Sequence, residues 1–151
     1  MEEIYLKFDG QLIEIITRVH DVSSFRFIRP SGLNYKPGQY MLATIKVAGR
    51  DLLHPFSFSS SPTEEGFIEF TKKFTDSEYS QALKALQVGD KIKIDAPYGQ
   101  FTFTGEYPQI CMLAGGIGIT PFRMICKYCT DKKIPAKLIL IYGNRQQSDI
   151  A

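Results

Sequence analysis

Near Pro108 the hydrophobic rhythm of this chain changes, and that change constrains its architecture more than any other feature. Before it, short segments alternate apolar and polar residues, the period of half-buried strands. They are "QLIEIITRV" (11–19), "FRFIR" (25–29), "YMLATIKV" (40–47), "HPFSFSS" (54–60), "GFIEFTKKF" (66–74) and "DKIKIDAP" (90–97). Turn chemistry lies between them. Lys36-Pro37-Gly38-Gln39 carries Pro at its second position and Gly at its third, "SPTEE" (61–65) is a loop of hairpin length, and Tyr98-Gly99 is a further turn. Short strands with regular turn signals predict an antiparallel barrel rather than a parallel sheet.

One helix interrupts the strands. Tyr79, Ala82, Leu83 and Leu86 fall at i, i+3, i+4 and i+7, a single apolar stripe. Thr75-Asp76-Ser77-Glu78 fits a capping box ahead of it, which predicts a helix from near Ser77 to just before Val88-Gly89-Asp90. After Pro108 the order becomes "QICMLAGG" (strand), "TPFRMICKYC" (helix) and "AKLILIYGN" (strand). These strands are nearly continuous apolar runs, as in parallel strands covered on both faces. Two strands and a helix make one crossover unit, short of an open doubly wound sheet, so this half reads as incomplete. The division falls near 104–108, giving expected domains of 1–105 and 106–151.

Composition narrows the function classes. Of 151 residues 44% are apolar and 13% aromatic, as in a folded globular protein. The formal charge of +2 is spread without a basic block, which argues against nucleic acid as a partner. No apolar run approaches the roughly 18 residues of a membrane helix, and the acidic, mixed N-terminus is unlike a signal peptide. Three cysteines give no disulfide framework, which fits a reducing cytoplasm. Cys126-x-x-Cys129 invites a redox or zinc reading, but Phe122, Ile125, Cys126 and Cys129 form one helical stripe that faces a core, and no second cysteine pair completes a metal site. His20 has no partner motif and is taken as structural.

"LAGGIGITP" (113–121) is a strand ending in a glycine turn that opens a helix. Gly115, Gly116 and Gly118 let backbone N–H groups approach a phosphate, and the helix N-terminus adds positive partial charge. Thr120 is suited to cap the helix and Pro121 to its first turn. Pro121 stands where a dinucleotide fingerprint has its third glycine, and no acidic ribose partner follows about 20 residues on. A packing turn with no nucleotide remains the competing reading at this point.

"HPFSFSS", "FIEFTKKF…SEYSQAL", "APYGQFTF", "LAGGIGITPF" and "IYGNR" follow one another as in the ferredoxin–NADP reductase-like flavoprotein family, which the chain resembles over almost its whole length. The resemblance implies an antiparallel six-stranded Greek-key β-barrel that binds FAD, followed by a truncated Rossmann-like parallel α/β unit that binds NAD(P)H. The family's flavin motif, Arg-x-Tyr-Ser/Thr, aligns with His54-Pro55-Phe56-Ser57, a form similar to that of the ferric reductase and NADPH oxidase branch. By that resemblance His54 meets the FAD phosphates, Phe56 lies against the isoalloxazine and the Ser57 hydroxyl bonds flavin N5. Phe56 keeps a π-face without a phenol, and the charge of His54 depends on pH where that of arginine does not. Ser77, Tyr79 and Ser80 match the loop and helix start that face the FAD pyrophosphate, with Ser77 in place of the family's glycine. Lys72 and Lys73 follow a strand as the family's lysine does. "PYGQF" (97–101) resembles the turn at the domain seam, where Gly99 serves the backbone and Phe101 is expected in the core. Pro37 to Tyr40 is read as barrel structure.

The implied function is electron transfer from NAD(P)H through FAD to an acceptor whose identity stays open: a protein, a haem or a metal centre. The alternatives are an FAD-holding electron-transfer subunit without NAD(P)H turnover, and a binding module without flavin. The incomplete parallel sheet leaves an edge that favours association with another chain.

Overall fold

The structure, a computed structural model, describes residues 5–150; residues 1–4 and Ala151, the outer ends of the two expected domains, lie outside the described residues. The six strands are β1 (Leu6–Val19), β2 (Val22–Ile28), β3 (Tyr40–Val47), β4 (Arg50–Ser57), β5 (Phe67–Lys73) and β6 (Lys91–Tyr98). They form one antiparallel sheet in the order β4-β3-β6-β1-β2-β5. β1 is long because it serves two partners. Leu6–Gln11 pairs with β6, Leu12–Val19 pairs with β2, and a register shift at Leu12/Glu14 bends the strand between them. The sheet curls until its outer strands meet: Phe58, just past β4, bridges Phe70 of β5, and the Ser59 N–H donates to the Glu69 carbonyl at 2.7 Å. Around that closure β3, β4 and β5 are successive neighbours and β6 returns beside β3, a Greek key.

Alternation along the strands fills the barrel. Phe25, Phe27 and Phe70 stack inside at ring separations of 5.4 and 5.6 Å. Helix α1 (Glu78–Ala85) closes the barrel with Tyr79 and Leu83, and Ala82 and Leu86 pack beside them, so the predicted stripe is the buried one. The cap differs from the expected box. Ser77 is the N-cap, accepting from the Ser80 N–H, and Glu78 leaves the helix end to pair with Arg50 at 2.6 Å. With Ser77 as cap, Glu78 falls in the first turn, one residue past the cap, where it cannot reach back as a capping-box acid.

The turn at Lys36–Gln39 has the expected form, the Gln39 N–H donating to the Lys36 carbonyl at 3.2 Å. Gly38 sits at φ 108°, and a Cβ there would lie 1.8 Å from the Phe101 carbonyl oxygen. Glycine is required on both counts.

Beyond β6 the chain crosses to β7 (Gln109–Gly115), a 3₁₀ turn (Gly116–Ile119), helix α2 (Thr120–Asp131) and β8 (Lys137–Gly143). β7 and β8 are parallel and in register from Gln109↔Lys137 to Gly115↔Gly143. α2 covers one face of the pair. Met112, Ile125, Cys129 and Phe103 form a second core, with Phe122 and Cys126 packed against it. The cysteine stripe therefore faces apolar neighbours, and no group of metal-ligating side chains occurs among the described residues. No helix among the described residues is long and apolar enough to cross a membrane.

Two expectations are corrected. Among the described residues the parallel strands are covered on one face only: Leu113 is 70% and Ile141 58% exposed, and Cys111 is open beside them. Phe101 is 63% exposed rather than buried, its ring edge-on to Phe122 at 6.0 Å. The close approach of the Lys36–Gln39 turn, where Phe103 N–H donates to the Pro37 carbonyl, fixes the backbone so that Phe103 points inward and Phe101 does not.

Candidate functional site

Strand β4 and the start of α1 bring three of the expected residues together, His54, Phe56 and Tyr79. His54 and Phe56 lie two apart on the same strand face, their rings 4.8 Å apart. Phe56 stacks on Phe70 at 4.3 Å, and Tyr79 tilts against His54 at 5.3 Å and Phe56 at 5.7 Å. The Tyr79 hydroxyl donates to the Ala43 carbonyl at 3.0 Å, and burial drives its pKa upward, so it stays a neutral anchor. Phe56 is 7% exposed and belongs to the barrel core as much as to a site. His54 is the half-buried outer ring of this cluster and Pro55 is exposed. Ser80, behind Tyr79, is fully buried; its hydroxyl meets the Thr75 N–H at 3.2 Å and the Ser77 hydroxyl at 3.1 Å. Ser80 therefore shapes the helix start from within, while exposed Ser77 faces outward.

Ser57 differs from the serines that follow it. Ser59 donates to Glu69 at 2.7 Å, Ser60 bonds Tyr35 at 3.0 Å and Ser61 bonds Thr63 at 2.7 Å. Ser57 is half-buried, and its hydroxyl bonds no other described residue, which leaves it open to an outside partner. Lys72 shares the inward-facing parity of Ile68 and Phe70 on β5. Desolvation alone lowers its pKa, and no acid among the described residues pairs with it, so a bound anion would relieve it. Lys73, one residue on, is spoken for by Asp21 at 3.1 Å.

The glycine turn has the expected shape with one change. Gly116 is left-handed at φ 49°, and the 3₁₀ turn runs directly into α2. Ile119 and Thr120 already have helical dihedrals, so Thr120 is the first helical residue and its side chain caps nothing; Pro121 follows in the first turn. An N-cap needs an extended backbone, which the 3₁₀ turn removes. A Cβ on Gly115, Gly116 or Gly118 would meet nothing within 4 Å. Packing explains none of these glycines, and only Gly116 is explained by backbone conformation. Bare backbone at a helix entrance suits the approach of a diphosphate.

Between the two clusters lies a polar seam that sequence reading missed. Glu69 is 2% exposed and is held by Arg26 at 2.8 Å, Arg18 at 3.2 Å and Ser59 at 2.7 Å. Ser24, Thr71 and Ser59 continue the chain of hydroxyls at 2.7 and 2.9 Å. A cleft of about 130 Å³ opens here, lined by Arg18, Ser59, Glu69 and Thr71 from the barrel side and Ile117, Ile119, Thr120 and Arg123 from the turn and α2. Arg123 spans it. Its guanidinium donates to the Ser59 carbonyl at 2.6 Å and forks onto Glu64 at 2.6 and 3.0 Å. Nothing in the local sequence distinguishes Glu69 from a surface acid on an alternating strand; its partners come from β1, β2 and the far side of β4.

The site thus consists of a curled antiparallel barrel with an open hydroxyl at the end of one strand, joined to a parallel unit with a bare glycine turn. The chain belongs to the family described as the oxidoreductase FAD-binding domain, whose model matches residues 9–103; the oxidoreductase NAD-binding domain matches residues 112–151. It is similar to NADH-cytochrome b5 reductase 2 of Mycosarcoma maydis, with 30% identity over 92% of this chain and 43% of that protein. Similarity extends to the reductase component of propane 2-monooxygenase from Mycolicibacterium smegmatis, with 31% identity over 93% of this chain and 40% of that one. The chain thus spans less than half the length of these relatives. Among solved structures, the cytochrome b5 reductase domain of Ulva prolifera nitrate reductase superposes with a TM-score of 0.81 at 26% identity, over 96% of this chain and 64% of that one. Amycolatopsis cytochrome P450 reductase GcoB shares the fold at a TM-score of 0.85 and 17% identity, over 99% of this chain and 46% of that one.

Proposed function

We infer that this chain holds FAD on its barrel and receives NAD(P)H at its glycine turn, as part of a flavin-dependent oxidoreductase that passes electrons to a protein-borne acceptor. The observation that carries the reading is the bare turn at Gly115, Gly116 and Gly118, whose Ile117 and Ile119 face Ser59 across one cleft, two residues along the chain from the open hydroxyl of Ser57. The family matches and the relatives named as reductases of cytochrome b5 and of a monooxygenase support it. When bound, FAD accepts a hydride from NAD(P)H and releases the electrons singly or in pairs.

The protein's part is placement. Ser57 offers a hydroxyl to flavin N5, and the exposed edge of His54 with the ammonium of Lys72 meets the phosphates. Ser77 and the first amides of α1 add donors there. Gly115 to Pro121 seat the dinucleotide's diphosphate. Phe56 and Tyr79 hold His54 in place. No acid–base pair or nucleophile is needed. We place the protein in the cytoplasm, where its three free thiols stay reduced; its recovery from an oxidising compartment would overturn that assignment.

A visible spectrum of the purified protein tests the flavin. Bands at roughly 370 and 450 nm are expected of any bound flavin, and their absence after reconstitution with FAD would refute the reading. Anaerobic bleaching by NADH or NADPH then tests the donor. A flavin that stays oxidised under both would instead mark an FAD-holding subunit fed by another protein.

A further inference from the structure

We propose that the loop Ser61–Glu64 is a clamp that grips α2 at both ends and sets the distance between the two cofactor elements. This rests on the reading above. At the N-terminal end of α2, Arg123 makes its fork to Glu64, whose side chain is 15% exposed, and reaches the Ser59 carbonyl. At the C-terminal end Asp131 accepts from the Thr63 hydroxyl while held by Lys127. The loop is made stiff enough to act: the Glu64 carboxylate accepts the Ser61 N–H at 2.7 Å, and the Glu64 N–H donates to the Ser61 carbonyl at 2.9 Å.

The connectivity gives the clamp its meaning. Ser59 lies two residues past Ser57, on the chain leaving β4. Arg123 lies two residues past Pro121, on the helix that the glycine turn opens. One guanidinium therefore ties the strand end assigned to the flavin to the helix end assigned to the nicotinamide dinucleotide. Planar, bidentate pairing fixes angle as well as distance, which a lysine at this position would not. Hydride transfer is steeply sensitive to such placement: a shift of about 1 Å can slow it roughly a hundredfold. Arg123 and Glu64 are positioning residues, since neither is placed against a cofactor.

Two measurements on the full chain test the clamp. The first is hydrogen exchange, which needs no cofactor. Glu64→Gln and Arg123→Gln are each expected to speed exchange in α2 (120–131) at least tenfold and leave α1 (78–85) unchanged. The double variant is expected to add nothing. The second is single-turnover reduction of the FAD-loaded protein. The same variants should slow it about tenfold while FAD affinity is kept, with Arg123→Lys restoring less than half. Should Glu64→Gln fail to fold, Thr63→Val leaves the Arg123 fork in place, cuts the exposed end together with the Ser61–Thr63 hydroxyl bond, and should raise exchange in the last turn of α2. Unchanged exchange in α2, or additive effects in the double variant, would overturn the clamp. A protein that binds no flavin would refute the proposed function and leave the exchange result standing.

Discussion

At the scale of single residues, the glycines separate fold from function. Gly38 is bound to the fold: with φ 108° and the Phe101 carbonyl in the way, Gly38→Ala should lose about 2 kcal/mol or more in denaturant unfolding. At Gly115 and Gly118 a Cβ would stand in open space among the described residues. Gly115→Ala and Gly118→Ala should leave stability within about 0.5 kcal/mol of the parent, while the concentration of NAD(P)H needed to reduce the flavin rises severalfold. Unchanged reduction in both would remove the dinucleotide from this turn. Ser57→Ala makes the complementary case on β4, slowing flavin reduction while FAD stays bound; single-turnover absorbance at equal flavin loading checks it. Both sites could be proposed from the sequence because local patterns suggest them: a strand, a glycine turn and a helix in one place, a four-residue motif in the other. Glu69 and Arg123 were not, because their roles exist only where distant strands meet.

Among elements, the barrel was read with fair accuracy and the connections less well. Six alternating segments became six strands, with β1 starting earlier than its pattern because Leu6–Gln11 pairs with β6 through a stretch containing Asp9 and Gly10. α1 begins at its expected residue but by another cap, since Thr75 turns its hydroxyl to Ser77 and Ser80 instead of to a helical amide. The loop 61–65 looked like a passive hairpin turn, and its contacts with α2 lie more than fifty residues away in sequence, beyond any local pattern. Its chemistry predicts a pH dependence. Burial pushes the Glu64 carboxyl up, but the Arg123 fork and the Ser61 N–H outweigh that and hold it below the ordinary carboxylate value of 4.5. The stabilisation is thus complete above the unfolded-state value and disappears as pH falls through the lowered one. Exchange in α2 should accelerate below about pH 4.5 in the parent protein and show no such step in Glu64→Gln; a parallel step in both would assign the titration elsewhere.

For the whole molecule, two cores of unequal strength meet across the polar seam. The barrel core is deep, and α1 seals it with Leu83, which is fully buried. Leu83→Ala should destabilise the protein by about 2–5 kcal/mol, measured as a lower denaturant midpoint, and a change below about 1 kcal/mol would mean that α1 does not seal the barrel. The second core is four buried side chains between α2 and one face of a two-stranded sheet. The open face of that sheet carries the protein's one exposed thiol, Cys111, flanked by Leu113, whereas Cys126 is half-buried and Cys129 buried, with burial pushing both of their thiols up. Cys111 is therefore a built-in reporter: a maleimide dye added at neutral pH would attach there first, and the rate of attachment would show directly, in any longer form or complex, whether another layer has come to rest on that face.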